Sequence, residues 1–165
     1  MAKTKRQLQV PGTEAKKIKE LDAAAEAYVE ARDERICHLF TILGAAGVGK
    51  SRLVNEFIAS IGDEALVVSG RCLSYGEGIT FWALGEMVRT RAGLAETDDE
   101  ATTRVKVAET VERWVPDESE RRWIESALLA LLGVDTATQM AREELFSAWR
   151  TFFERIAAEG TVALV

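Results

Sequence analysis

The chain has 165 residues, 47% of them hydrophobic and 29% charged, and a net charge of −6. These are values of about one globular domain, not of a disordered or low-complexity chain. The acidic balance argues against nucleic acid as a partner, and no apolar run approaches the ~18 residues that cross a bilayer.

In chain order, Met1–Gln9 carries Lys3, Lys5 and Arg6 with no apolar face. With the break at Pro11-Gly12, residues 1–12 read as a basic, solvated tail and the domain begins at residue 13. Thr13 is a plausible N-cap for a helix from Glu14, with Ile18, Leu21, Ala25, Tyr28, Val29 and Ile36 near helical spacing. Cys37 and Cys72 have no CxxC spacing, and the single His38 falls in an apparent strand. The pattern does not read as a zinc or disulfide framework, and the expectation is two buried thiols in a reducing cytoplasm.

His38–Leu43 reads as a buried strand and Ser51–Ile58 as a helix. Between them lies Gly44-Ala45-Ala46-Gly47-Val48-Gly49-Lys50-Ser51. Gly, four residues, then Gly-Lys-Ser between a strand and a helix is the pattern that cradles the phosphates of a nucleoside triphosphate. The glycines allow a sharp turn, positive φ and close backbone approach to phosphate. Successive N–H groups and the positive end of the helix point at the anion. Lys50 would reach the β/γ-phosphates as the catalytic cation, and the Ser51 hydroxyl would hold Mg²⁺, a hard ion that takes oxygen ligands. Gly44 to Arg52 is thus the expected nucleotide-binding segment, with Mg²⁺ and a nucleoside triphosphate as its ligands. A bare glycine turn would leave Lys50 unexplained, since a cation in a helix's first turn opposes the dipole.

Beyond the loop, Ala65–Val68 reads as a strand buried on both faces. Ser69–Gly78 is a long glycine-bearing loop in which Arg71 could meet a phosphate and Glu77 could order a water, although a plain surface loop explains both. Helices follow: one capped by Thr80 and ending near Gly93, and one over Ala101–Val115 stopped by Pro116. Asp117 and Glu120 form a capping box for a third helix closed by Gly133, and the last helix runs from about Thr138 to Glu159. Their aromatics sit at core spacing. Thr161–Val165 is the third strand of an α/β fold with three αβα layers, a parallel sheet and a helical insertion at about 80–159.

Phosphoryl transfer by this class needs an acid on a neighbouring strand to help hold Mg²⁺. Leu131-Leu132-Gly133-Val134-Asp135 is a decoy, because its apolar residues keep helical spacing and Gly133 interrupts the run. The acid is expected after Thr161–Val165, beyond the last residue.

Thr41–Gly44 through Ser51–Val54 resembles the phosphate loop of the AAA-related STAND ATPases. The likeness is to the modules joined to bacterial class III adenylate/guanylate cyclases and LuxR-type regulators. Gly70–Trp82, Arg142–Arg150 and Phe152–Glu154 resemble later blocks of that module. The resemblance implies an ATP-binding unit of signal transduction, an effector domain in a longer parent chain, and little hydrolysis from an N-terminal fragment ending before the acids. Val10-Pro11-Gly12-Thr13 replaces that family's Val-Gly-Arg-type segment. Its sheet order would leave a gap beside the third strand, or force that strand against the first. Two rival readings are a P-loop small-molecule kinase, with Arg71 and Tyr75–Gly78 as acceptor site, and a non-catalytic helical interaction domain prone to self-association.

Overall fold

The computed structural model describes residues 3–9, 14–72, 81–135 and 140–165, with side chains from residue 20 onward. Contacts divide the chain into two compact units, Met1–Ala65 and Leu66–Val165.

The first unit is a strand–helix–strand turned into a strand–loop–helix. Strand β1 (Lys3–Gln9) pairs in parallel with β2 (Cys37–Leu43), register running from Lys3 opposite Cys37 to Gln9 opposite Leu43. Parallel neighbours need a crossover, and α1 (Glu14–Glu34) supplies it. The segment read from sequence as a basic tail is therefore a strand over Lys3–Gln9. Lysines and arginine there do not oppose a strand, because an edge strand takes its order from backbone pairing and commonly carries charge.

Helix α2 (Lys50–Ile61) packs on α1 through Ala27, Tyr28, Leu53 and Ile61, all buried. The Tyr28 and Phe57 rings meet edge-on at 6.2 Å. Strand β2 buries one side only: His38, Phe40 and Ile42 are covered, while Cys37, Leu39 and Leu43 are exposed. The strand expected to be buried is thus only half-buried. Both cysteines are exposed free thiols, not buried ones; Cys37 falls on the uncovered side of β2. Thr13 lies outside the described residues.

In the second unit β3 (Ala65–Val68) pairs with β4 (Thr161–Leu164). Val165 donates its N–H to the Val68 carbonyl at 2.9 Å and accepts from the Gly70 N–H at 2.7 Å. One residue bridging two that are spaced by two is the parallel pattern. Among the described residues the partner of β4 is β3. Residues of β3 are mostly half-buried, with Val68 alone fully covered.

Among the described residues of this unit there are four helices: α3 (Trp82–Arg91), α4 (Glu100–Trp114), α5 (Glu118–Leu131) and α6 (Arg142–Glu159). Thr80 and Thr138 lie outside the described residues. Val88, Val107, Val111, Ile124, Leu128 and Phe152 are completely buried among these helices. Trp149 donates its indole N–H to the Ala127 carbonyl at 3.0 Å, so its one polar atom is satisfied inside the core. The expected core role of Trp149 and Phe152 holds, whereas Trp82, also expected in the core, is exposed.

Only half of the expected capping box forms. The Asp117 carboxylate accepts from the Glu120 N–H at 2.8 Å. The Glu120 carboxylate turns instead to Arg155 of α6, which donates two bonds of 2.8 Å. A bidentate guanidinium is a stronger partner than one backbone N–H.

Three carboxylates in this unit titrate below their ordinary range. Asp98 is held down by the Lys106 ammonium and by the Ala95 N–H, Asp99 by its bonds from Thr102, and Glu118 by Arg122. A folded-state value below the unfolded one adds stability that is present above the unfolded pKa and is lost as pH falls through the folded one. Tryptophan fluorescence should therefore show a thermal midpoint that is flat above about pH 5 and falls below about pH 4. Asp98→Asn should reduce that fall; a fall of unchanged size would contradict the assignment to Asp98.

Candidate functional site: the phosphate loop

Between β2 and α2 the backbone makes the turn that the glycines foreshadow. Gly47 has φ 77° and Gly49 has φ 96° with ψ 27°, both left-handed, with Val48 at negative φ between them. Alternating signs of φ turn successive N–H groups toward one side, the geometry of an anion-binding nest. A Cβ at Gly47 would meet nothing within 4 Å. Glycine is needed there for its conformation and not for space, since left-handed backbone costs an L-residue about 1–2 kcal/mol. The turn off β2 does not use Gly44 in this way, because its φ is not positive.

Gly49 is also the N-cap of α2, and it offers no side chain to the helix's first N–H groups. No acidic residue stands in the first turn, while Lys50 and Arg52 do. Two cations at the positive end of a helix oppose its dipole. A triphosphate is the kind of group that would reverse that cost.

The Lys50 ammonium donates to the Gly44 and Ala45 carbonyls, each at 2.9 Å. The side chain is thereby folded back over the loop it follows. An ammonium has three donors, and a charged phosphate oxygen is a stronger acceptor than a neutral carbonyl. These bonds can therefore be exchanged for stronger ones to phosphate. Ser51, exposed at the second position of α2, presents a hydroxyl oxygen of the type that Mg²⁺ accepts. The donor set fits the ion: Ser51 would contribute one oxygen ligand, and bound Mg²⁺ would neutralise phosphate charge. Arg52 points along the helix, with Nε 2.7 Å from Glu56 Oε1, so its guanidinium is engaged with a neighbour one turn on.

The segment Gly44–Arg52 is therefore brought together as one loop and helix start. Arg71 belongs to the second unit, where its backbone N–H donates to Glu86 Oε2 at 2.6 Å and its side chain is exposed. Glu77, Tyr75–Gly78 and Val10–Thr13 lie outside the described residues. Asp135 is no strand acid: Val134 and Asp135 both donate backbone N–H to the Leu129 carbonyl, closing α5.

Sequence reasoning missed strand β1, which ends with Gln9 beside Leu43, level with the start of the loop. The alternation of Leu8 and Val10 with polar neighbours is the faint signal that could have found it.

Strand, nest, cationic helix start and returning lysine define a P-loop of the nucleoside-triphosphate-binding class. The family model described as AAA ATPase domain matches residues 17–165, and the chain belongs to that family. Neither the curated proteins nor the solved structures include a match to it. Among the described residues no helix is long and apolar enough to cross a membrane.

Proposed function

We propose that this chain is the Mg-ATP-binding module of a cytoplasmic signalling ATPase of the STAND type. In such a protein, residues 13–165 belong to the ATPase domain and an effector lies elsewhere in a longer parent chain. The observation that carries the reading is the pairing of two left-handed glycines with a cation-bearing, acid-free first turn of α2. Its family membership supports a nucleotide as the anion. The signalling role rests on the likeness of Gly70–Trp82 and Arg142–Glu154 to the modules of cyclases and LuxR-type regulators.

In this reading the loop N–H groups and Lys50 bind the phosphates, and Ser51 holds Mg²⁺. The loop supplies the binding part of the chemistry, and among the described residues no strand-borne acid or water-orienting group for phosphoryl transfer is assigned. The 165-residue polypeptide is therefore expected to be stabilised by Mg-ATP and to release phosphate no faster than buffer. Both are read on one sample, by thermal melting and by a phosphate-release assay. Turnover that disappears in Lys50→Ala would show that the residues present suffice for hydrolysis.

A further inference from the structure

Arginines in the second unit are mostly spoken for. Arg104, Arg121, Arg122, Arg150 and Arg155 each reach a carboxylate. Arg91 and Arg113 differ. Arg91 ends α3 and Arg113 stands one residue before the end of α4, and among the described residues each reaches only the indole of Trp114, with guanidinium carbons 4.8 and 5.2 Å from the ring centre. Two like charges thus share one aromatic ring. Burial, and then the charge of Arg113, pull the Arg91 guanidinium below its ordinary range.

Two donors at this point are unused. The Nε of Arg91 and the indole Nε1 of Trp114 are buried and have no hydrogen-bond partner among the described residues. Among the described residues neither guanidinium has a carboxylate partner: Glu112, beside Arg113 in the chain, pairs with Arg121 at 3.1 Å, and Glu109, one turn earlier on α4, makes no ion pair with Arg113. The helix ends offset part of the charge, but each supplies only about half a negative charge. Two guanidiniums against two such ends leave roughly one net positive charge.

We propose that Arg91, Arg113 and the Trp114 N–H form an oxyanion-binding site, built from residues other than those of the phosphate loop. Planar guanidiniums suit a phosphoryl or carboxylate group, to which they offer paired N–H donors. The indole N–H adds a third, neutral donor. The ligand class is a small oxyanion group, carried as phosphate or as a side-chain-type carboxylate.

The test uses the whole chain, uniformly ¹⁵N-labelled, whose four tryptophans give four indole signals. Trp114→Phe identifies its signal. Inorganic phosphate and glutarate are titrated separately at constant ionic strength, in a Lys50→Ala background so that the loop does not respond. A saturable shift of the Trp114 signal is expected, weakened about tenfold or more by Arg113→Ala and by Arg91→Gln. A shift with phosphate alone supports a phosphoryl ligand, and a shift with both supports a general oxyanion site. Arg113 is exposed, so its replacement tests the site even if loss of the Arg91 stack unfolds the unit. An unmoved Trp114 signal with both probes, an equal shift with chloride, or an unchanged affinity in Arg113→Ala would overturn the proposal.

Discussion

Phe152→Ala is expected to destabilise the second unit by about 3–5 kcal/mol, the range for emptying a large buried aromatic site. Phe152 is fully buried and lies edge-on to Phe153 at 5.4 Å, in the cluster that also holds Ile124 and Leu128. Those neighbours sit on regular helices, so they can close only part of the void, and the cavity adds to the lost transfer energy. All four tryptophans fall within Leu66–Val165, so intrinsic fluorescence reads this unit. The urea midpoint should fall by about 1 M or more. Phe146, which starts 43% exposed, should lose much less when cut to Ala. Equal losses at the two sites would mean that α6 does not bury the face described.

Gly70→Ala is the second large effect, and its cause is contact. A Cβ there would stand 2.3 Å from the Ala83 carbonyl oxygen and 2.9 Å from its carbon, both backbone atoms of α3. No rotamer relieves that overlap, so α3 or the end of β3 must shift. The Gly70 N–H is also the donor to the Val165 carbonyl at 2.7 Å, and moving the residue strains that rung as well. Overpacking of this kind costs about 1–3 kcal/mol. The thermal midpoint read by fluorescence should drop accordingly. A wild-type midpoint would show that α3 does not approach β3 so closely.

The phosphate loop was legible because its chemistry is local. Left-handed backbone at Gly47 and Gly49 demands glycine, and a cation at a helix start demands an anion, so residue type alone points to both. The end of α5 was legible for the same reason: helical spacing through Leu131 and the interruption at Gly133 demote Asp135. What was not legible is non-local. Strand β1 has no apolar face, and it is a strand because β2 offers it a backbone edge. Glu120 was expected to turn back on its own helix, yet it meets Arg155, 35 residues away. The exposure of Cys37 depends on which side of β2 is covered, which strand periodicity alone does not specify.

Lys50 carries the central claim. Its ammonium is already returned over the loop by the Gly44 and Ala45 carbonyls, and a phosphate is the partner for which that placement makes sense. Titration of fluorescently labelled ATP with Mg²⁺ against the wild type and Lys50→Ala is the direct test. Loss of a charge-assisted bond to phosphate should weaken binding about tenfold or more in the variant. Equal affinity of the two proteins, or no binding by the wild type, would contradict a nucleotide site at Gly44–Ser51.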